Sequence, residues 1–267
     1  MPHEIIESLN NSKVKAAVQL KERRARKKYK KTLIEGYREL YQAIQHGLSI
    51  DTIFLCEELF PNQESQKTFD LLDADKIFYV TKKVFEKLSF RSTPDGFIAV
   101  ADEILYDLLD IPPSPNPFLL VIEKVEKPGN LGAILRTADG AGADAIILCD
   151  PATDLNNPNV IRASLGAVFS LPVITMTVDE LFLYCESKKI KLIATSPDVK
   201  KVYWDTDFTK GVALVLGSEK DGISERFLKE SNEVVTIPML GKVDSLNVSA
   251  ATSLLSYEVI RQRSMRS

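Results

Sequence analysis

Two α/β units separated by a proline-rich break, the second built on a mostly parallel sheet, are what this sequence predicts. Three observations predict it. From Phe118 onward, six short apolar runs recur, "FLLVIE", "DAIILC", "PVITM", "KLIATS", "GVALVLG" and "EVVTIP", with helix-like segments between most of them. Runs that are apolar nearly throughout, instead of at alternate positions, suit strands covered on both faces, as in parallel sheets. The stretch "DLLDIPPSPNP", residues 107–117, breaks the chain with prolines, which lack the amide that a helix or a central strand needs. Before it, three shorter strand-like runs alternate with helical segments. The expected division is a small domain over 1–106, a linker over 107–117 and a larger domain over 118–267.

In the smaller domain, residues 12–47 read as helical. Leu33, Ile34, Tyr37, Leu40, Tyr41 and Ile44 recur at helical spacing, and Gly47 supplies a stop. Strands are expected at 52–55, 77–80 and 97–101. Within the helical stretch lies "KERRARKKYKK", residues 21–31, with eight basic residues against one acid in a chain of formal net charge -3. Such a run is either a solvated helix face or a surface that gains nucleic-acid affinity by releasing counterions. The second reading assigns RNA contacts to Lys21, Arg23, Arg24, Arg26, Lys27 and Lys28.

Composition narrows the function. A chain of 267 residues with 45% apolar and 27% charged residues reads as a soluble globular protein. No apolar run approaches the roughly 20 residues needed to span a bilayer, and the N-terminus has no leader pattern, so a cytoplasmic protein is expected. Cys56, Cys149 and Cys185 lie far apart and suggest neither a disulfide framework nor a zinc site; no metal is expected. His3 and His46 are the two histidines, which excludes most histidine-dependent catalysis from the larger domain.

Parallel sheets receive ligands beyond the C-terminal ends of their strands, so the loops there carry the chemistry. In "EKPGNLGAILRTADGAGADAIIL", Asn130 precedes or caps a helix on which Ile134, Leu135 and Ala138 face the core while Arg136 and Asp139 project elsewhere. The glycines do not spell a dinucleotide fingerprint. In "LVLGSEKDGIS", Gly217 and Gly222 bracket a tight polar turn where a ligand could approach the main chain. The ending of a Walker A loop is missing. In "IPMLGKVDSLNVSAATSLL", Ser245 and Asn247 can initiate a helix whose apolar face is Val248, Ala251, Leu254, Leu255, Val259 and Ile260. Capping accounts for the polar residues singly. It leaves unexplained why all three loops place small and polar groups at strand ends.

In order and spacing, the three loops resemble the three motifs of the SpoU/TrmH family of RNA ribose 2'-O-methyltransferases. The first motif is matched by Asn130, Gly132, Arg136, Thr137 and Ala138, and the second by Gly217, Glu219 and Gly222. The third is matched by Ile237, Pro238, Met239, Gly241, Ser245, Leu246, Asn247, Val248, Ser249 and Ala251. The segment "RASLGAVFSLPV", residues 162–173, resembles the family's middle region, and the first part is similar to the ribosomal-protein-L30e-like substrate domain of ribosomal RNA members.

The resemblance implies an α/β trefoil knot, which periodicity does not reveal, and S-adenosylmethionine held mainly by backbone groups. Gly217, Ile237 and Leu246 would contact its adenosine portion, with Met239 and Thr195 nearby. It implies methyl transfer to a ribose 2'-hydroxyl of structured RNA, with 23S ribosomal RNA as the expected substrate. A transfer RNA substrate and a non-catalytic RNA-binding protein are the alternatives. Family proposals cast the residue at Arg136 as the base. A guanidinium with a pKa above about 12 gives up its proton reluctantly; the second role open to Arg136 is to bind the phosphate beside the target and stabilise developing oxyanion charge. Asn130, Glu219, Ser245 and Asn247 would orient Arg136 and the ribose. A homodimer with its site near the knot interface is also implied.

Overall fold

The computed structural model describes residues 5–61, 63–218 and 220–265. The chain forms two compact units. The first takes the described residues up to Leu105 together with Asp154–Ser170, and the second takes Tyr106–Thr153 and the described residues from Leu171 onward.

The first unit begins with β1 (Ile5–Ile6), α1 (Ser12–Gln19), α2 (Arg23–Tyr29), β2 (Lys31–Glu35) and α3 (Tyr37–Gln45). It continues with β3 (Ile50–Leu55), α4 (Glu64–Phe69), β4 (Ile77–Val80), α5 (Lys82–Leu88) and β5 (Phe97–Asp102). Its five strands lie in the order β1-β4-β3-β5-β2, with β5 antiparallel to both neighbours. The strands expected at 52–55, 77–80 and 97–101 are β3, β4 and β5.

The single helix expected over 12–47 does not form. Lys30 closes α2 with a left-handed backbone, φ 52°, and the five residues after it pair with β5. Thr32, Leu33 and Ile34 are all fully buried, as consecutive residues are in a strand covered on both faces. Two of the three are β-branched and pack better on a pleated surface than on a helix. Gly36, at φ +117°, then turns the chain into α3 through a conformation that L side chains rarely adopt.

The basic run behaves differently from a uniform cationic face. Arg26 is 4% exposed. Its guanidinium donates to the carbonyls of Leu20 (2.9 Å) and Lys21 (2.8 Å) and pairs with Asp154 at 2.9 Å. Arg26 is therefore a buried anchor, which corrects its assignment as an RNA contact. Arg23 reaches the same carboxylate at 3.6 Å. The half-buried Lys21 donates to the Ser89 carbonyl at 2.8 Å and sits over the Phe90 ring. Burial lowers its pKa. Arg24, Lys27 and Lys28 are exposed.

The second unit opens with β6 (Phe118–Glu123), α6 (Pro128–Gly140) and β7 (Ala145–Cys149). The chain then supplies Asp154–Ser170, with the short α7 (Pro158–Ala163), to the first unit. It resumes the second with β8 (Val173–Thr175), α8 (Val178–Lys188), β9 (Lys191–Thr195), β10 (Val212–Leu216), α9 (Glu225–Glu230), β11 (Glu233–Val235) and α10 (Val248–Ser264). The expected continuous domain over 118–267 thus gives up 154–170. Polar bonds account for this: Thr32 Oγ1 donates to the Asn156 carbonyl (2.8 Å), the Ile104 amide donates to Asn156 Oδ1 (2.7 Å), and Asp154 holds Arg26. Residues 107–117 go with the second unit, where Tyr106 and Ile111 pack against its core.

The six apolar runs are the six strands of this unit, in the order β11-β9-β10-β6-β7-β8, with every pairing parallel. Leu119, Val121, Ile147 and Val215 pack on one face with Leu181 of α8 and Phe227 of α9. Each such side chain, fully buried, contributes about 1.5–3 kcal/mol. On the other face α10 packs on α6 and on β10. Because β7 and β8 lie to one side of β6 while β10 and β9 lie to the other, strand order reverses at β6/β10. That reversal is where open parallel sheets form a ligand crevice.

Candidate active site

A cleft of about 400 Å³ opens at the C-terminal ends of β9, β10 and β11. Thr195 and Ser196 line it after β9, Leu216 to Ser218 at the end of β10, and Thr236 and Ile237 after β11. Met239, Ser245, Leu246 and Val248 close it from the segment leading into α10. All five residues expected to hold a cofactor, Thr195, Gly217, Ile237, Met239 and Leu246, therefore meet at one place. A wider depression of about 800 Å³ elsewhere in this unit, lined by Asp179, Phe182, Lys189, Arg226 and Glu230 among others, contains no motif residue.

The cleft's shape follows from its loops. A Cβ on Gly217 would lie 2.0 Å from the Gly222 carbonyl carbon and 2.4 Å from the Ile223 nitrogen, so a hydrogen is all this position can carry. The turn is held by the Gly222 amide on the Ser218 carbonyl and the Asp221 amide on Ser218 Oγ, both at 3.1 Å. Thr195 Oγ1 is fixed by donating to the Val215 carbonyl at 3.0 Å. The lining is apolar through Leu216, Ile223, Ile237 and Val248, with the exposed carboxylates of Asp198, Asp221 and Asp244 around it. An apolar slot with backbone groups suits a flat neutral base, and nearby carboxylates suit a cationic tail. S-adenosylmethionine has both parts, so the residues present fit it.

Beside the cleft, the first and third loops join through side chains. α6 begins at Pro128, with Lys127 at its N-cap, so Asn130 sits in the first turn and does not cap the helix. Asn247 does cap α10: its Oδ1 accepts the Ser249 amide at 2.9 Å and the Ser249 hydroxyl at 2.6 Å. Its Nδ2 donates to Asn130 Oδ1 at 3.3 Å. Further along the two helices, the hydroxyls of Thr137 and Ser253 are bonded at 2.9 Å. Leu131, Ile134, Leu135 and Ala138 are buried, which leaves Arg136 on the exposed face of α6. Among the described residues Arg136 has no hydrogen-bond or ion-pair partner. Ser245 is exposed at the cleft; Glu219 lies outside the described residues.

Comparison with known proteins gives this arrangement its family. A model described as the SpoU rRNA methylase family matches residues 117–257. The chain belongs to the SpoU rRNA methylase family. A second model, an MRM3-like substrate-binding domain, matches residues 11–99. An uncharacterized tRNA/rRNA methyltransferase of Synechocystis is 31% identical, over 97% of this chain and 94% of its own. The 23S rRNA (guanosine(2553)-2'-O)-methyltransferase of Bacillus subtilis is 27% identical over 95% of this chain and 98% of its own. Among solved structures, an RNA 2'-O ribose methyltransferase superposes with TM-score 0.88 at 38% identity, covering 97% of this chain and 99% of that one. An AdoMet-bound rRNA methyltransferase from Sinorhizobium meliloti superposes with TM-score 0.86 at 26% identity, covering 97% of both chains.

Sequence reasoning missed several cleft residues, among them Asp198, Asp221, Asp244 and Ile223. The positions of the aspartates just after strands or within motif loops are a usable signal.

Proposed function

We propose that this SpoU-family chain transfers a methyl group from S-adenosylmethionine to a ribose 2'-hydroxyl of ribosomal RNA, with 23S rRNA as the substrate. The observation that carries the reading is the cleft itself, where Thr195, Gly217, Ile237, Met239 and Leu246 converge next to the Asn130–Asn247 bond. Relatives named for 23S rRNA 2'-O-methylation span both halves of the chain, which favours ribosomal over transfer RNA.

When bound, S-adenosylmethionine supplies a methyl group already activated by a sulfonium charge. The protein's work is alignment and charge stabilisation. In that transfer the 2'-oxygen would gain the methyl group, the donor's sulfur would leave with the electron pair, and the hydroxyl proton would pass to water. Arg136 would bind the phosphate flanking the target and stabilise negative charge growing on the 2'-oxygen, a role supported by its being exposed and unpaired among the described residues. Asn247 and Asn130 orient each other, and Ser245 offers a hydroxyl at the cleft. Glu219, in the second motif, belongs to the same set by resemblance. Arg24, Lys27 and Lys28 contribute RNA phosphate contacts in the first unit.

The trefoil knot and a homodimer belong to this reading. Support for pairing comes from apolar side chains in the third loop and on α10, where Leu240 is 99% exposed and Val243 and Tyr257 are more than half exposed. Among the described residues no helix is long and apolar enough to cross a membrane, and a cytosolic site of action is proposed.

The test is incubation with labelled methyl donor and 23S rRNA or tRNA, using wild type and Arg136→Lys. A lysine keeps the charge and loses the planar fork. The variant should bind S-adenosylhomocysteine normally and lose on the order of 10²-fold in transfer rate. Near wild-type transfer by the variant removes both roles from Arg136. A wild-type chain that neither labels RNA nor binds S-adenosylhomocysteine is a non-catalytic member of the family.

A further inference from the structure

Glu123 ends β6, the strand on one side of the reversal in strand order, and it is 1% exposed. The five residues before it are apolar, and packing alone would be served by another valine or isoleucine there. A carboxylate taken out of water is costly unless it is hydrogen-bonded. The partner given to this one is specific: Glu123 Oε2 accepts the backbone N–H of Ser224 at 2.7 Å, 101 residues along the chain.

Ser224 closes the second-motif loop. Immediately before it lie Gly222 and Ile223, whose backbone is pressed against Gly217 and which, with Gly217, line the cleft. Immediately after Glu123, Lys124 takes a left-handed backbone, φ 56°, and its amide donates to the Cys149 carbonyl at 2.9 Å, starting the loop that leads to α6. One buried carboxylate thus stands where the strand leading to Asn130 and Arg136 meets the loop that walls the cleft. Glu123 is not among the cleft's lining residues.

We propose that Glu123 is a positioning residue for the methyl donor: by accepting the Ser224 amide it holds Gly222 and Ile223, and with them Gly217, where the donor needs them. The proposal rests on the reading of the cleft as an S-adenosylmethionine site. It predicts a separation between donor and RNA that general destabilisation would not produce.

Glu123→Gln keeps an oxygen that can accept the Ser224 amide. Glu123→Leu keeps volume and removes the acceptor. Calorimetry with S-adenosylhomocysteine and steady-state kinetics against both substrates distinguish them. Glu123→Leu should raise Kd for S-adenosylhomocysteine and KM for the donor by about tenfold, on the worth of a hydrogen bond to a charged group, while Glu123→Gln, whose neutral oxygen makes a weaker bond, raises them by about threefold. KM for RNA should be unchanged in both. Donor affinity unchanged in Glu123→Leu, lost equally in Glu123→Gln, or lost together with RNA affinity overturns the positioning role. A wild-type chain that does not bind S-adenosylhomocysteine overturns the cleft's reading first, a result separable from every variant outcome.

Discussion

Replacing Gly217 with alanine tests the cleft's construction with a single methyl group. Gly217 does not lie in the left-handed region, so its backbone would accept alanine; the obstacle is contact alone. The added Cβ would meet the Gly222 carbonyl carbon at 2.0 Å, its oxygen at 2.1 Å and the Ile223 nitrogen at 2.4 Å. All three are main-chain atoms, so no side chain can swing aside. Restoring an ordinary 3.4 Å contact requires the loop to retreat by about 1.4 Å. Overpacking of this kind costs roughly 1–3 kcal/mol, which in a unit of this size lowers Tm by roughly 3–10 °C. The displaced segment is also a wall of the cleft. Misplacement by about 1 Å is enough to cost on the order of 10²-fold in rate. Gly222→Ala is the matched control: among the described residues its Cβ meets nothing within 4 Å, and its φ of +64° opposes the change, at about 1–2 kcal/mol. Differential scanning calorimetry and titration with S-adenosylhomocysteine read both effects. The reasoning fails if Gly217→Ala melts with wild type and keeps its affinity, or if Gly222→Ala damages binding equally.

Two further outcomes concern the scaffold. Arg26→Ala should destabilise the first unit by about 3 kcal/mol, because it leaves two carbonyls without their donor and Asp154 with Arg23 alone, while Arg24→Ala leaves Tm unchanged and weakens RNA binding; equal melting of the two variants on thermal denaturation would return Arg26 to the surface. At Glu233, burial pushes the carboxyl up, but hydrogen bonds from Lys191, Lys201 and Thr206 outweigh it and hold the group at about 2. A depressed carboxyl contributes stability above its unfolded value of about 4.3 and loses it as pH falls toward 2. Glu233→Gln should therefore lower Tm at pH 7 and flatten its fall across that window, and parallel Tm-against-pH curves for the two proteins would refute the assignment.

How much was legible depended on how far each residue's reason lay from it in the chain. The strands of the second unit could be read because a strand covered on both faces must be apolar nearly throughout, a purely local demand that β6, β7 and β10 meet. β2 could not be read as a strand from helical spacing, because Leu33 and Ile34 satisfy a helix and a sheet alike; the deciding partner is β5, about 70 residues away. The warning was local nonetheless, in Gly36 and the β-branched Thr32 and Ile34. Arg26 looked like its neighbours because a charge run does not say which side of a helix faces inward, and Asp154 lies 128 residues on. The meeting of Thr195, Gly217, Ile237 and Leu246 at one cleft was legible only by resemblance, since they end or follow three different strands, β9, β10 and β11, that topology brings together.

Asn247 shows why a helix-capping pattern and a functional motif can occupy the same letters. As a cap, the position needs an acceptor for the Ser249 amide, and aspartate, serine or threonine would serve as well. The bond to Asn130 asks for something else. Its acceptor is Asn130 Oδ1, so residue 247 must donate while its own oxygen is already engaged by Ser249. An ionised aspartate would set oxygen against oxygen, and a serine or threonine hydroxyl has a single proton on a shorter reach. Asparagine carries an acceptor on one arm and two donors on the other. The cap fixes where α10 begins; the second arm fixes how that beginning faces α6, and therefore where Ser245 and Leu246 stand at the cleft.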